Sequence, residues 1–121
     1  MGARYERDYY HQVETENTEE IPGNPWVICT LWHAQYHITR AKTLSELRLA
    51  LPLLEWTSQR TLRSGVLAEQ FDPYSGAPMS VSPLTWSHAT VVSTCVMYAK
   101  KFDELSAKLG TPAGKPGASA K

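Results

Sequence analysis

The sequence lacks an excess of charge of either sign, since 12 Lys and Arg residues balance 12 Asp and Glu residues over 121 positions. Proteins that bind nucleic acids or anionic membrane surfaces usually carry a clustered surplus of Lys and Arg. The balanced composition therefore predicts neither a nucleic-acid partner nor a membrane partner.

Long hydrophobic runs and cysteines are also scarce. No apolar stretch approaches the roughly 18 residues of a transmembrane helix, and the first residues are too polar for a signal peptide. The only cysteines, Cys29 and Cys95, lie in apolar helical contexts. We expect both to be buried free thiols, with a single disulfide as the alternative, and we expect a cytoplasmic location.

Several motifs that carry chemistry are missing as well. The sequence has no Gly-rich phosphate-binding loop, and Ser87 lacks the Gly-x-Ser-x-Gly context of a nucleophilic serine. His33 and His37 have the spacing of metal ligands on a helix, but neither a zinc-protease glutamate nor a third ligand accompanies them. We expect no cofactor and no metal site.

What the sequence does contain is helical periodicity in three segments, residues 26–41, 43–62 and 85–109. This pattern predicts an all-α chain of three long helices. The acidic residues that precede the first segment are typical of a solvated loop face: Glu14, Glu16, Glu19 and Glu20. We expect residues 1–109 to form one unit and residues 110–121 to be a disordered tail.

The first segment is apolar on nearly all sides, which is typical of a helix buried on several sides. Asn24 is the predicted N-cap of this helix, and Pro25 suits the first helical position. A chain of this size offers little surface against which to bury such a helix. The sequence therefore indicates that partner surface is missing.

The other two segments are amphipathic. Thr43 and Glu46 match a capping box at the start of the second, and Pro52 predicts a kink near Arg48. In the third, apolar residues recur at helical spacing and predict a stripe that faces the core. The stripe consists of Ala89, Val92, Val96, Ala99, Phe102, Leu105 and Leu109.

A long loop, residues 65–88, joins the second and third segments and holds the best candidate for chemistry. Glu69 lies in an apolar run, a setting that suits a carboxyl group to acid–base work because it disfavours the charged form. Gln70 and Ser80 are candidates for hydrogen bonds that orient this carboxylate. From the pattern alone, an exposed loop glutamate is the more frequent outcome.

The tryptophans divide into two groups by position. Trp26 and Trp86 each lie at the start of a helical segment beside turn-rich sequence, where an indole face can stack on the C–H face of a sugar. Trp32 and Trp56 lie within helical stripes and are predicted to be core residues. For any single tryptophan, a core position is the more frequent outcome.

Three blocks of sequence occur in order with short spacers: Arg4–Tyr10, Gly23–Trp32 and Leu67–Ala89. Together they resemble the C-terminal part of the catalytic domain of the glucoamylase-like glycoside hydrolases (family fifteen). The resemblance covers nearly the whole chain. It implies the end of an (α/α)6 barrel, and hydrolysis of α-glucosidic bonds in α-glucans or maltooligosaccharides with inversion.

The resemblance also implies roles for residues of the long loop. Glu69 corresponds to the general base of the family, and Ser80 corresponds to a hydroxyl group that hydrogen-bonds this base. Gln70 is the second residue of the family's Glu-Gln pair and a candidate for orienting the base. The general acid of the family belongs to an earlier segment, so we expect a fragment that is inactive without the missing N-terminal part of the barrel.

The remaining implied roles concern substrate binding. Arg4 and Asp8 match the Arg-Tyr-x-x-Asp block, in which the arginine binds sugar hydroxyl groups. Trp26 and Trp86 match tryptophans that lie beside the sugar. Two alternatives stay open: a non-catalytic helical module that binds carbohydrate or another partner, and a parent enzyme with trehalase-like or glucodextranase-like specificity.

Overall fold

The computed structural model of the chain describes residues 2–5, 8 and 22–110, and the all-α class is confirmed. Its helices are α1 (Val27–Arg40), α2 (Leu44–Leu47), a 3-10 turn (Arg48–Ala50), α3 (Leu51–Gln59) and α4 (Thr85–Gly110). Two short strands, β1 (Gln70–Phe71) and β2 (Pro78–Met79), lie between α3 and α4. The predicted acidic face and residues 111–121 of the predicted tail lie outside the described residues.

Helix α1 begins later than predicted and is capped differently. Its N-cap is Trp26, which has an extended backbone and no side-chain capping bond, so the predicted cap at Asn24 is wrong. Backbone carbonyl groups replace the missing cap: Val27 N–H donates to Glu69 O (3.1 Å) and Trp26 N–H donates to Gly2 O (3.0 Å). The start of α1 is therefore tied to the long loop.

The second predicted helix is divided. Thr43 Oγ1 accepts a hydrogen bond from Glu46 N–H (3.2 Å), as a capping box requires, but Glu46 Oε2 accepts from Lys42 N–H (2.7 Å) instead of from the cap residue. The predicted kink near Arg48 corresponds to the 3-10 turn. Pro52 lies in the first turn of α3, where its missing N–H costs no helical hydrogen bond.

Helix α4 has the predicted extent, but of its predicted core stripe only Leu105 lies in the core, and the other six residues are exposed. Val92, Val96 and Phe102 are exposed by 64%, 47% and 47%, respectively. The side of α4 that packs on α1 is instead rich in small hydroxyl residues, namely Ser87, Thr90 and Thr94. Such side chains tolerate burial because their hydroxyl groups bond carbonyl groups, as Thr90 Oγ1 bonds Trp86 O of its own helix (2.7 Å) and Ser87 Oγ bonds Ala68 O of the loop (3.0 Å).

The core consists of two apolar clusters along α1. The first lies at the start of the helix and underneath the long loop: Val27, Leu31, Trp56, Leu67, Ala68 and Phe71. The second lies at its other end: Ala34, Ile38, Ala41, Leu47, Ala50 and Leu105. The predicted core position of Trp56 is confirmed, whereas that of Trp32 is wrong, since 47% of this residue is exposed.

The two cysteines are free, as predicted, but they are not both buried. Cys29 is half-buried and Cys95 is exposed on α4. Among the described residues, no helix combines the length and the apolar character that a membrane span requires.

A small hairpin within the long loop was not predicted. Strands β1 and β2 pair antiparallel, with Gln70 opposite Met79. Asp72 stabilises the turn between them, since its Oδ1 accepts hydrogen bonds from Tyr74 N–H (3.1 Å), Ser75 N–H (2.6 Å) and Ser75 Oγ (2.8 Å). The hairpin turns the chain back so that Ser80 returns to the neighbourhood of Glu69.

The Asp72 turn gives a testable prediction about stability. Hydrogen bonds, chiefly that from Ser75 N–H, hold the pKa of Asp72 below its ordinary value. The stabilisation is therefore present above the ordinary carboxyl pKa of about 4 and is lost as the pH falls through the lowered value. We expect Asp72→Ala to lower the free energy of unfolding by about 1 kcal/mol at neutral pH, measured by urea denaturation.

The matched control is Asp103→Ala, which removes an exposed carboxylate of α4. We expect it to leave the stability nearly unchanged at every pH. A loss of stability in Asp72→Ala that is equally large in strong acid would contradict the role assigned to this turn. An equal loss of stability in Asp103→Ala would contradict it as well.

Candidate functional site

Glu69 lies in an extended segment whose backbone is bonded on both sides. Its N–H donates to Val81 O (2.9 Å), and its carbonyl oxygen accepts from Val27 N–H at the start of α1 (3.1 Å). The next residue but one, Phe71, donates its N–H to Pro25 O (3.1 Å). These bonds place the Glu69 backbone between the chain before α1 and the second half of the loop.

The start of α4 holds the residues that precede Glu69. Ser87 Oγ donates to Ala68 O (3.0 Å), and His88 Nε2 accepts from Leu67 N–H (3.0 Å). Leu67 O accepts a further bond from Leu84 N–H (3.1 Å). Ser87 and His88 thus help to position Glu69 through its neighbours Ala68 and Leu67. The sequence did not reveal this role because the contacts join residues about twenty positions apart.

The carboxylate of Glu69 is held by one of its two oxygens. Oε2 accepts hydrogen bonds from Ser80 Oγ and from Gln70 Nε2, the second at 3.2 Å. Among the described residues, no group donates to Oε1. Ser80 adopts a left-handed backbone conformation (φ 62°), which is uncommon for a residue with a side chain and is often found at functional sites.

Gln70 is fully buried, and a second amide lies behind it. Asn24 Nδ2 donates to Gln70 Oε1 (3.1 Å), and Asn24 is also buried. The segment containing Asn24 is tightly packed, because a Cβ atom on Gly23 would lie 2.8 Å from the backbone nitrogen of Asp8. The sequence marked Asn24 only as a helix cap, so its contact with Gln70 was missed.

Arg4 and Asp8 form a two-pronged ion pair beside this segment. Arg4 Nε and Nη2 donate to Asp8 Oδ2 and Oδ1, both at 2.9 Å, and Asp8 is fully buried. This hydrogen bonding to Asp8 raises the pKa of the Arg4 guanidinium further above its already high ordinary value. The guanidinium carbon also lies 4.2 Å from the centre of the Trp26 ring. Arg4 is therefore a fixed cation on an aromatic surface.

A cavity of about 370 Å³ brings most of the predicted site residues together. Its lining consists of Arg4, Trp26, Ile28, Cys29, Trp32, Glu69 and Trp86. Trp32 and Trp86 meet edge to face, with ring centres 5.8 Å apart, and form one wall. Asp8, Gln70 and Ser80 lie behind the lining and support it. Trp32 was missed as a site residue because its position in a helical stripe favoured the core.

Two other features lie apart from this cavity. A larger one, of about 540 Å³, lies between α3 and α4 and has a mainly apolar lining without any predicted site residue. His33 and His37 bring their Nε2 atoms to 3.1 Å on the exposed side of α1. In the part of the chain that the structure describes, no third metal-ligating side chain joins them.

The site therefore combines a carboxylate with one held oxygen, a fixed cation and three tryptophan side chains around one cavity. A carboxylate in such a setting can accept a proton from a bound water molecule. Indole faces and a guanidinium group are suited to a ligand that has both C–H faces and hydroxyl groups.

Comparisons with known proteins agree with this chemistry. A family model described as "Glycosyl hydrolases family 15" matches residues 2–96. Over 96 residues the chain is 36% identical to an uncharacterized glycosyl hydrolase of Methanocaldococcus jannaschii, covering 72% of this chain and 14% of that protein. Over 42 residues it is 50% identical to a glucoamylase of Neurospora crassa, covering 35% of this chain and 7% of that protein. No solved structure matches the chain at a significant level.

The cavity gives a prediction about the two thiols. Burial, and to a smaller extent the negative charge of Asp8, raises the pKa of the Cys29 thiol, so less of the reactive thiolate is present at a given pH. Cys95 is exposed on α4. We expect iodoacetamide at about pH 8 to alkylate Cys95 several-fold faster than Cys29, as followed by mass spectrometry.

Two single variants serve as controls. Cys95→Ser retains only Cys29, which we expect to react slowly. Cys29→Ser retains only Cys95, which we expect to react quickly. Equal alkylation rates in these variants would contradict the burial of Cys29 in the cavity lining.

Proposed function

The chain belongs to glycosyl hydrolase family 15, and from this premise we propose that it is the C-terminal part of an inverting α-glucosidase in which Glu69 is the general base. The all-α architecture suits the (α/α)6 barrel of this family. The chain spans 14% of the length of the Methanocaldococcus jannaschii relative, which supports the proposal that this chain supplies one part of a larger enzyme.

The observation that carries the proposal is the asymmetric environment of the Glu69 carboxylate. Ser80 and Gln70 are both donors to Oε2, an arrangement that suits an ionised carboxylate. Among the described residues Oε1 has no donor, so it is the oxygen available to a water molecule. In the proposed reaction Oε1 removes a proton from water as the water oxygen attacks the anomeric carbon.

A general acid is needed on the opposite side of the glucosidic bond. In inverting enzymes the two carboxyl groups are about 6.5–9.5 Å apart, which leaves room for the water molecule. Glu69 is the only carboxylate that lines the cavity among the described residues. We therefore assign the acid to the part of the barrel that this chain does not contain.

Substrate binding falls to the rest of the cavity lining. Arg4, held by Asp8 and the Trp26 ring, donates to sugar hydroxyl groups. Trp86, which is 53% exposed, offers apolar surface to the sugar faces, whereas Trp26, only 5% exposed, supports the Arg4 guanidinium with its ring. Indole and guanidinium surfaces suit a sugar in general, and membership of the glucoamylase-like family makes an α-glucan or a maltooligosaccharide the substrate class that we propose.

The exposed side of α4 gives the rest of the barrel a surface on which to pack. Val92 and Val96, one turn apart, form an apolar stripe that the described residues leave uncovered, and Phe102 is exposed further along the helix. Exposed apolar residues that lie together on a surface are typical of an interface. We propose that the preceding helices of the barrel cover it.

The general-base role predicts the behaviour of Glu69→Gln. The chain is co-expressed with the missing N-terminal part of the barrel, and release of glucose from maltooligosaccharides is measured. We expect Glu69→Gln to lower kcat by about 10²–10⁴-fold, because an amide cannot accept the proton. Glu55→Gln, an exposed change on α3, is the control and should leave kcat unchanged. Full activity of Glu69→Gln would show that the assignment is wrong.

The proposed interface predicts a separate result. Val96→Lys places a charge in the apolar stripe, and we expect it to prevent co-purification with the N-terminal part of the barrel. Because Val96 is exposed, the circular dichroism and thermal unfolding of the chain itself should change little. Thr39→Lys, an exposed change in the last turn of α1, is the matched control and should co-purify normally. Normal co-purification of Val96→Lys would contradict the interface.

A further inference from the structure

A buried pair of amides connects the chain before α1 to the Glu69 carboxylate. Asn24 and Gln70 are exposed by only 1% and 0%. Asn24 Nδ2 donates to Gln70 Oε1 (3.1 Å), and Gln70 Nε2 donates to Glu69 Oε2 (3.2 Å). Buried amide groups are nearly always hydrogen-bonded, so this chain of bonds is expected to be maintained.

The direction of these bonds follows from chemistry. An ionised carboxylate only accepts hydrogen bonds, so Gln70 must present its NH₂ group to Glu69. Gln70 Oε1 then faces away from Glu69, and only a hydrogen-bond donor can pair with it. Asn24 supplies that donor through Nδ2. If the Gln70 amide rotated by half a turn, its oxygen would lie against the carboxylate and repel it.

The position of Asn24 is itself fixed by its surroundings. Its backbone N–H donates to Asp8 O (3.3 Å), and the carbonyl group of the following residue, Pro25, accepts from Phe71 N–H (3.1 Å). The amide side chain is thus held at a set distance from β1. The backbone of Asn24 is thereby bonded to Asp8, the residue that binds the Arg4 guanidinium.

We propose that Asn24 is a positioning residue for the catalytic carboxylate, a role that rests on the proposed function of Glu69. Asn24 fixes the amide of Gln70 in the orientation that donates to Oε2. With Oε2 engaged by two donors, the carboxylate cannot rotate freely, and Oε1 remains the oxygen that meets the water molecule. Asn24 acts at a distance and contacts neither substrate nor water.

The unsubstituted chain offers the first test, by nitrogen-15 NMR of the side-chain amides. We expect the resonances of Gln70 Nε2 and Asn24 Nδ2 to move together as Glu69 is protonated, and to stay still in Glu69→Gln. The behaviour of Glu69→Gln separates the effect of Glu69 from that of Asp8 and Arg4, the other charged groups that the described residues place near Asn24. Gln35, whose amide donates to Thr94 Oγ1 (2.9 Å), is the internal control. An Asn24 amide that does not respond to Glu69 overturns the proposal.

Substitutions test the consequence for catalysis in the co-expressed enzyme. Asn24→Asp keeps the size of the side chain but replaces the donor with an acceptor, which forces the Gln70 amide to turn. We expect kcat to fall about tenfold while KM changes little. In a Gln70→Leu background, Asn24→Asp should have no further effect on kcat, because the group through which it acts is gone.

The outcomes separate this inference from the proposed function. If Asn24→Asp lowers kcat equally in both backgrounds, or not at all, then Asn24 is not a positioning residue for the carboxylate. Glu69→Gln would still be inactive in that case, and the general-base role would stand. If Glu69→Gln is fully active, the proposed function fails by itself, whatever the amide resonances show.

Discussion

The hydrogen bond from Val27 N–H to Glu69 O connects the fold to the site. It satisfies a donor at the start of α1 that would otherwise need a cap, and it fixes the backbone of the candidate base. The isolated bridge between Trp26 and Gln70 lies next to it, as does the bond from Phe71 N–H to Pro25 O. Helix α1 and the carboxylate therefore cannot be placed independently of each other.

Much of the fold was predictable because local patterns determine it. The extent of α4, the interruption near Arg48 and the cap at Thr43 all depend on neighbours within a few residues. Exposure was not predictable in the same way. Periodicity identifies an apolar stripe such as Val92 and Val96 but not what covers it, and it gives no sign that the hydroxyl-rich side of α4 packs on α1.

In the candidate site, too, local patterns were predictable and long-range contacts were not. Glu69, Ser80 and Arg4 were identified as candidate site residues from motifs. The cavity brings Glu69 and Arg4 together with Trp26 and Trp86. What the motif could not supply is the network behind them. The bond from Asn24 to Gln70 spans 46 positions, and a capping signal at Asn24 offered a simpler local explanation that proved wrong. Side-chain contacts at such separations depend on the assembled fold.

Gly23 has a consequence for how this site can change over evolutionary time. A Cβ at this position would meet Asp8 N at 2.8 Å and Asp8 O at 2.9 Å, and a backbone cannot move aside as the end of a side chain can. Any replacement would displace Asp8 and, with it, Arg4, while shifting the adjacent Asn24. A single methyl group would thus disturb the Arg4 cation and the support of the candidate base at once. This position is therefore open to change only together with its neighbours.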